Sequence, residues 1–171
     1  TDPEDPEGEL MSWISFGGTA QVEVYGNVMS YKFGDNFIGQ TILNPVDTSN
    51  NFVGLFYQYT NLISAKNLIL PATTLSDYCY SQMFSGCTSL RTAPELPATT
   101  LVSNCYHNMF NGCTNLNYIK ALFTTTPSTS YTRNWVTNVS ATGTFVKNDS
   151  ATWTNTGVHS VPTTWVSYKE S

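Results

Sequence analysis

Apolar positions recur along this chain at a fixed spacing. Residues 70–90 read LPATTLSDYCYSQMFSGCTSL and residues 96–116 read LPATTLVSNCYHNMFNGCTNL, two copies that superimpose at an offset of 26. Leu75 and Leu101, Cys79 and Cys105, Met83 and Met109, Phe84 and Phe110, Cys87 and Cys113, and Leu90 and Leu116 pair at that offset, and these twelve form the expected core. A weaker copy, NFVGLFYQYTNL at 51–62, keeps Phe52, Leu55, Phe56 and Leu62 but stands 28 residues before its match. Its two extra residues fall in 66–70, where they predict a local bulge and not a break.

Within a copy, Cys79 and Met83 are four apart, as are Tyr80 and Phe84, which predicts one or two helical turns ending at Gly86. Leu90, Ala93 and Leu96 then predict a short strand running into Pro97. Such a unit cannot bury its apolar face alone, so the expected fold is an α/β solenoid, a short leucine-rich repeat stack closed at both ends. At the front, Gln21–Tyr25 alternates, Gly26-Asn27 is a turn pair and Val28–Lys32 returns, predicting a β-hairpin cap. At the back, Thr144–Lys147 and Trp165–Tyr168 are strand-like, and Trp135, Trp153 and Trp165 supply large aromatics for a β-rich C-terminal cap. The chain thus divides into an acidic flexible tail (1–9), an N-terminal cap (10–49), repeat coils (50–122) and a C-terminal cap (123–171).

The spacing of Phe84, Cys87 and Leu90 resembles the BspA-like leucine-rich repeats of bacterial surface proteins. The stretch GGTAQVEVYGNVMSYKFGDNF (17–37) is similar to the segment that precedes such coils in a subgroup of that family. TGTFVKNDSATW (142–153), with Pro162 and Trp165 after it, is similar to that subgroup's closing segment, from which His159, Ser160 and Val161 depart. The resemblance covers most of residues 17–168. It implies an exported protein of the bacterial cell surface that acts in adhesion. The acidic start TDPEDPEGE resembles the run after the lipid-bearing cysteine of outer-membrane lipoproteins, so a lipid anchor upstream of Thr1 is one expectation and an arbitrary boundary the other.

Charge narrows the partners. Twelve Asp and Glu face seven Lys and Arg among 171 residues, and five of the acids lie in the first nine positions, leaving a neutral body. No basic footprint for nucleic acid exists. Ser, Thr and Asn together number 58, so the surface is polar yet nearly uncharged. The sequons at Asn138 and Asn148 are fewer than the roughly four that such a composition yields by chance.

Four cysteines in an exported chain invite disulfides. Their place in the apolar periodicity favours free, packed thiols instead, although stacked copies could also bring Cys79 beside Cys105 for a bridge. No C-x-x-C pair and no finger-spaced histidine points to a metal, and no cofactor motif is present. His107 and His159 are the only imidazoles, and His107 holds a variable position expected to face solvent. Without a nucleophile motif or paired carboxylates, no catalytic residue is assigned and the protein is read as a non-enzyme.

The candidate binding face consists of Ile63 and Lys66, then Arg91 and Glu95, then Tyr118 and Lys120, in successive copies. These vary where the core does not, which fits either a tuned face or tolerance of exposed positions. Tyr80 and Tyr106 could offer a shelf for sugars, but they share the phase of Phe84 and Phe110 and are read as half-buried core. The expected function is a cell-surface module presenting this face to a host or matrix protein or a glycan. The alternative is a structural spacer in a surface assembly.

Overall fold

The computed structural model describes residues 18–43 and 52–170. Its regular elements there are five short strands, β1 (Val22–Asn27), β2 (Leu62–Ile69), β3 (Tyr118–Ala121), β4 (Thr144–Lys147) and β5 (Val166–Lys169), and one helix, α1 (Met29–Phe33), followed by a 3-10 turn at Gly34–Asn36. Every strand pairing is parallel: β1 with β2, and β3, β4 and β5 in order. Single parallel bridges from Ser64 to Thr92 and from Thr92 to Tyr118 join the two small sheets.

This arrangement overturns the α/β solenoid expectation. The single α-helix among the described residues precedes the copies, and residues 77–86 and 103–112, where helical turns were expected, are unbroken runs of turns. The reason lies in where their N–H groups go. Those of Cys79, Ser81, Met83 and Ser85 donate to the carbonyl three residues back, whereas those of Tyr80, Gln82, Phe84 and Gly86 donate to the carbonyls of Cys105, His107, Met109 and Asn111 in the following copy. An α-helix would direct each N–H to the residue four back along its own chain. Here half of them bridge to the neighbouring segment. Tyr78, Gln82 and Gly86 hold positive φ, as do Asn104, Asn108 and Gly112, so the chain reverses at every fourth residue. The four-residue apolar spacing is therefore the spacing of these turns.

The hairpin cap is also corrected. β1 runs through Gly26 and Asn27 and pairs in parallel with β2, Gly26 lying opposite Leu68. The Asn27 side-chain oxygen accepts the Met29 N–H at 2.9 Å, and the expected return strand folds as α1. The strand expected after Leu90 is reduced to bridges at Thr92 and Leu96, because Pro94 and Pro97 bring no ladder donors. At the other end, β4 and β5 extend the sheet that β3 begins. The acidic tail, residues 10–17 and 44–49 of the N-terminal cap, and residues 50 and 51 lie outside the described residues.

The twelve core residues named from the sequence are all buried. Two columns of stacked rings run through that core: Phe52, Tyr80 and Tyr106 at 5.7 and 6.0 Å, and Phe56, Phe84 and Phe110 at 5.2 and 5.7 Å. Both converge on Trp135, 6.1 Å from Tyr106 and 6.0 Å from Phe110. The indole N–H groups of Trp135, Trp153 and Trp165 donate to the carbonyls of Ser160, Phe123 and Ser140, so each large ring is buried with its polar atom satisfied.

Candidate functional site

The six face residues lie on three neighbouring passes of the chain. The Arg91 N–H donates to the Ile63 carbonyl, the Ala93 N–H to that of Tyr118 and the Leu96 N–H to that of Lys120. Lys66, Arg91 and Glu95 are exposed, Tyr118 is more lightly exposed, and Ile63 and Lys120 are half-buried. The Lys120 ammonium lies 3.0 Å from Glu95 and also contacts Glu170. Its hydrogen bonds to Glu170 and then Glu95 hold its pKa above the ordinary lysine value. Glu170 was not foreseen as part of this face. It arrives because the register sets Lys120 beside Val146 and Val146 beside Tyr168, a pairing between remote stretches that no local pattern announces.

Lys66 and Glu95 line one groove of about 500 Å³, together with Asn67, Leu68, Ile69, Leu70, Pro71 and Pro97. The chain is long here and short opposite. Ser64 bridges to Thr92 at an offset of 28, and Leu70 matches Leu96 at 26, so the segment between Ser64 and Leu70 has two residues more than the one beside it. Against β1 the register is irregular twice, between Val22 and Glu23 and between Glu23 and Tyr25, and only the second, opposite Ser64 to Asn67, falls within the long segment. Alternation fails at this place: Lys66 and Asn67 are consecutive and both exposed. Among the described residues neither Lys66 nor Arg91 has an ion-pair partner, whereas Glu95 is engaged by Lys120.

The other candidate chemistries are packed away. The four cysteines are free thiols, all buried. Burial pushes Cys87 and Cys105 up to about 12 and raises Cys79 and Cys113 well above the usual thiol range, which keeps them protonated and poor nucleophiles. The Cys87 and Cys113 thiols donate to the carbonyls of Phe56 and Phe84, both at 3.0 Å. Tyr80 and Tyr106 are fully buried and present no shelf to solvent. His107 is half-buried, not solvent-facing, because its segment is covered by the preceding copy. Its Nδ1 lies 3.5 Å from the buried Ser81 hydroxyl, a position closed to substrate. The His159 ring nitrogen accepts the Asn134 N–H at 2.9 Å and so serves the backbone. Among the described residues, no three His, Cys, Asp or Glu side chains converge on a point, and no helix is long and apolar enough to cross a membrane. Compared with family models, curated proteins and solved structures, the chain finds no match.

Proposed function

We propose that this protein is a non-enzymatic binding module of the bacterial cell surface, which presents the face formed by Ile63, Lys66, Arg91, Glu95, Tyr118 and Lys120 to a host or matrix protein or a glycan. The observation that carries this reading is the groove: two of the six face residues, Lys66 and Glu95, line the same concavity. Its volume falls in the range of ligand sites, and its lining is mainly apolar with a few polar groups. The resemblance of the sequence to surface proteins supports the location. The deep burial of the four thiols, and of Ser81 beside the His107 ring, favours binding over covalent chemistry.

An array of purified matrix proteins and glycans tests the proposal, with Lys66→Ala, Arg91→Ala and Tyr118→Ala variants of unchanged melting temperature as controls. Binding that falls at least tenfold in one of these variants is expected. Silence across the array, or binding that none of the three substitutions weakens, would overturn the assignment of this face and favour the spacer.

A further inference from the structure

We propose that the outer face of the sheet formed by β3, β4 and β5 binds a neutral β-linked oligosaccharide, stacking two of its sugar rings on Tyr118 and Tyr168. This deepens the binding-module reading and rests on it.

Alternation along the strands decides which side chains share this face. Ile119, Ala121 and Phe145 are buried, so Tyr118, Lys120, Thr144 and Val146 turn outward. The register sets Tyr118, Thr144 and Val166 in one row and Lys120, Val146 and Tyr168 in the next. Tyr118 and Tyr168 therefore stand at opposite corners, two strands and two residues apart, which is about 12 Å between their Cα atoms. They are 36% and 56% exposed. The shorter Thr144 and Val146 lie between them and are half-buried, so the two tyrosines flank a low floor and each can serve a different sugar of one chain.

The chemistry around the tyrosines selects the ligand. A pyranose with equatorial hydroxyls presents C–H groups to the electron-rich face of an aromatic ring and a rim of hydroxyls to polar neighbours. Here the rim meets Glu95 and Glu170, whose side chains are 50% and 38% exposed and share the Lys120 ammonium. Each carboxylate has lone pairs beyond those that Lys120 uses, and can accept from a hydroxyl. A dry protein interface would strip water from these three ionised groups at a high cost, whereas sugar hydroxyls replace the water they displace. Charge excludes acidic glycans. By alternation Lys120 is the one cation of the three strands on this face, against two carboxylates, and Lys147 and Lys169 share the other register row, with their ammonium groups on the carbonyls of Trp153 and Asp149. A sulfated or uronic chain would meet more negative than positive charge there.

Isothermal titration of the full chain tests this, with cellohexaose and chitohexaose as neutral ligands and cellobiose and a heparin hexasaccharide for comparison. At least one neutral hexasaccharide should bind tenfold or more tightly than cellobiose, and heparin should not bind. Tyr118→Ala and Tyr168→Ala should each weaken that hexasaccharide at least tenfold, while Tyr168→Phe, which keeps the ring, should retain the parent affinity. Melting temperatures are compared first. Tyr168 lies on the edge strand and is more than half exposed, so its variants test the site even where Tyr118→Ala lowers the melting temperature. Equal binding of cellobiose and the hexasaccharides, affinity unmoved by Tyr168→Ala, or preference for heparin would overturn the proposal. So would the absence of binding by both neutral chains. If the protein and glycan array then still gives Lys66- or Arg91-dependent binding, the sugar site falls and the binding face stands, whereas a silent array overturns both.

Discussion

Backbone conformation sets the first constraint on single residues. Tyr78 and Gln82 hold φ at 57° and 55°, where a side chain crowds the following carbonyl and asparagine is better tolerated. Asn108, the match of Gln82, shows the same conformation with the favoured residue. Gln82→Asn should therefore raise stability by up to about 1 kcal/mol in urea unfolding. Gly143 is constrained by space and not by φ: a Cβ there would stand 2.6 Å from the Trp165 ring and 2.7 Å from the Asn117 carbonyl oxygen. Gly143→Ala should cost roughly 1–3 kcal/mol by the same measurement, because a buried indole has little room to yield. Phe84 is wholly buried between the rings of Phe56 and Phe110, so Phe84→Ala should leave a cavity and cost about 3–5 kcal/mol.

Elements show which information was local and which was not. The twelve core positions are visible in the sequence because burial at a fixed offset leaves the same residue type in each copy. The strand-like stretches at 144–147 and near 166–169 are visible too, from their aromatic and β-branched residues. The turn runs look like helices in the sequence because spacing by four cannot distinguish one helical face from a reversal at every fourth residue. The distinguishing fact, an N–H of Phe84 donated to Met109, depends on a segment 25 residues away. The parallel pairing of β1 was hidden for the same reason, since Gly26-Asn27 looks like a turn until β2 lies alongside. Of the face, Lys66 and Glu95 were legible as exposed copy-specific residues, while the join to Glu170 was not. That join ties the end of β5 to β3, and its contribution is set by Lys120. Because the Lys120 pKa is raised in the fold, the contribution is fully present below the ordinary lysine value and is lost as pH rises through the raised one. Glu170→Gln should lower the Lys120 pKa, read by NMR titration of the side chain, and change stability by less than about 1 kcal/mol.

At the scale of the whole molecule, the thiols govern response to alkali. In the unfolded chain they ionise near their usual value, while burial holds Cys87 and Cys105 protonated up to about 12, so the folded state binds more protons in that interval. Stability should be flat through neutrality and fall as pH rises above about 9, at up to about 1.4 kcal/mol per unit for each thiol. Melting temperatures across that range check this, with Cys105→Ala expected to give a shallower decline. Residues 52–58 are joined to 79–85, and residues 78–86 to 103–111, by N–H groups that each reach the next segment along the chain, with rings stacked the same way. That wiring has a mechanical meaning. Tension applied at the two ends of the chain pulls on one boundary at a time, like a zip and unlike a rivet. Each boundary that yields should release the length between matching copies, 28 residues at the first and 26 at the next, which is about 90 Å of extended chain. A single molecule drawn out in optical tweezers should lengthen in steps of nearly that size, and residues beyond the advancing break should keep their bonds until their own turn comes.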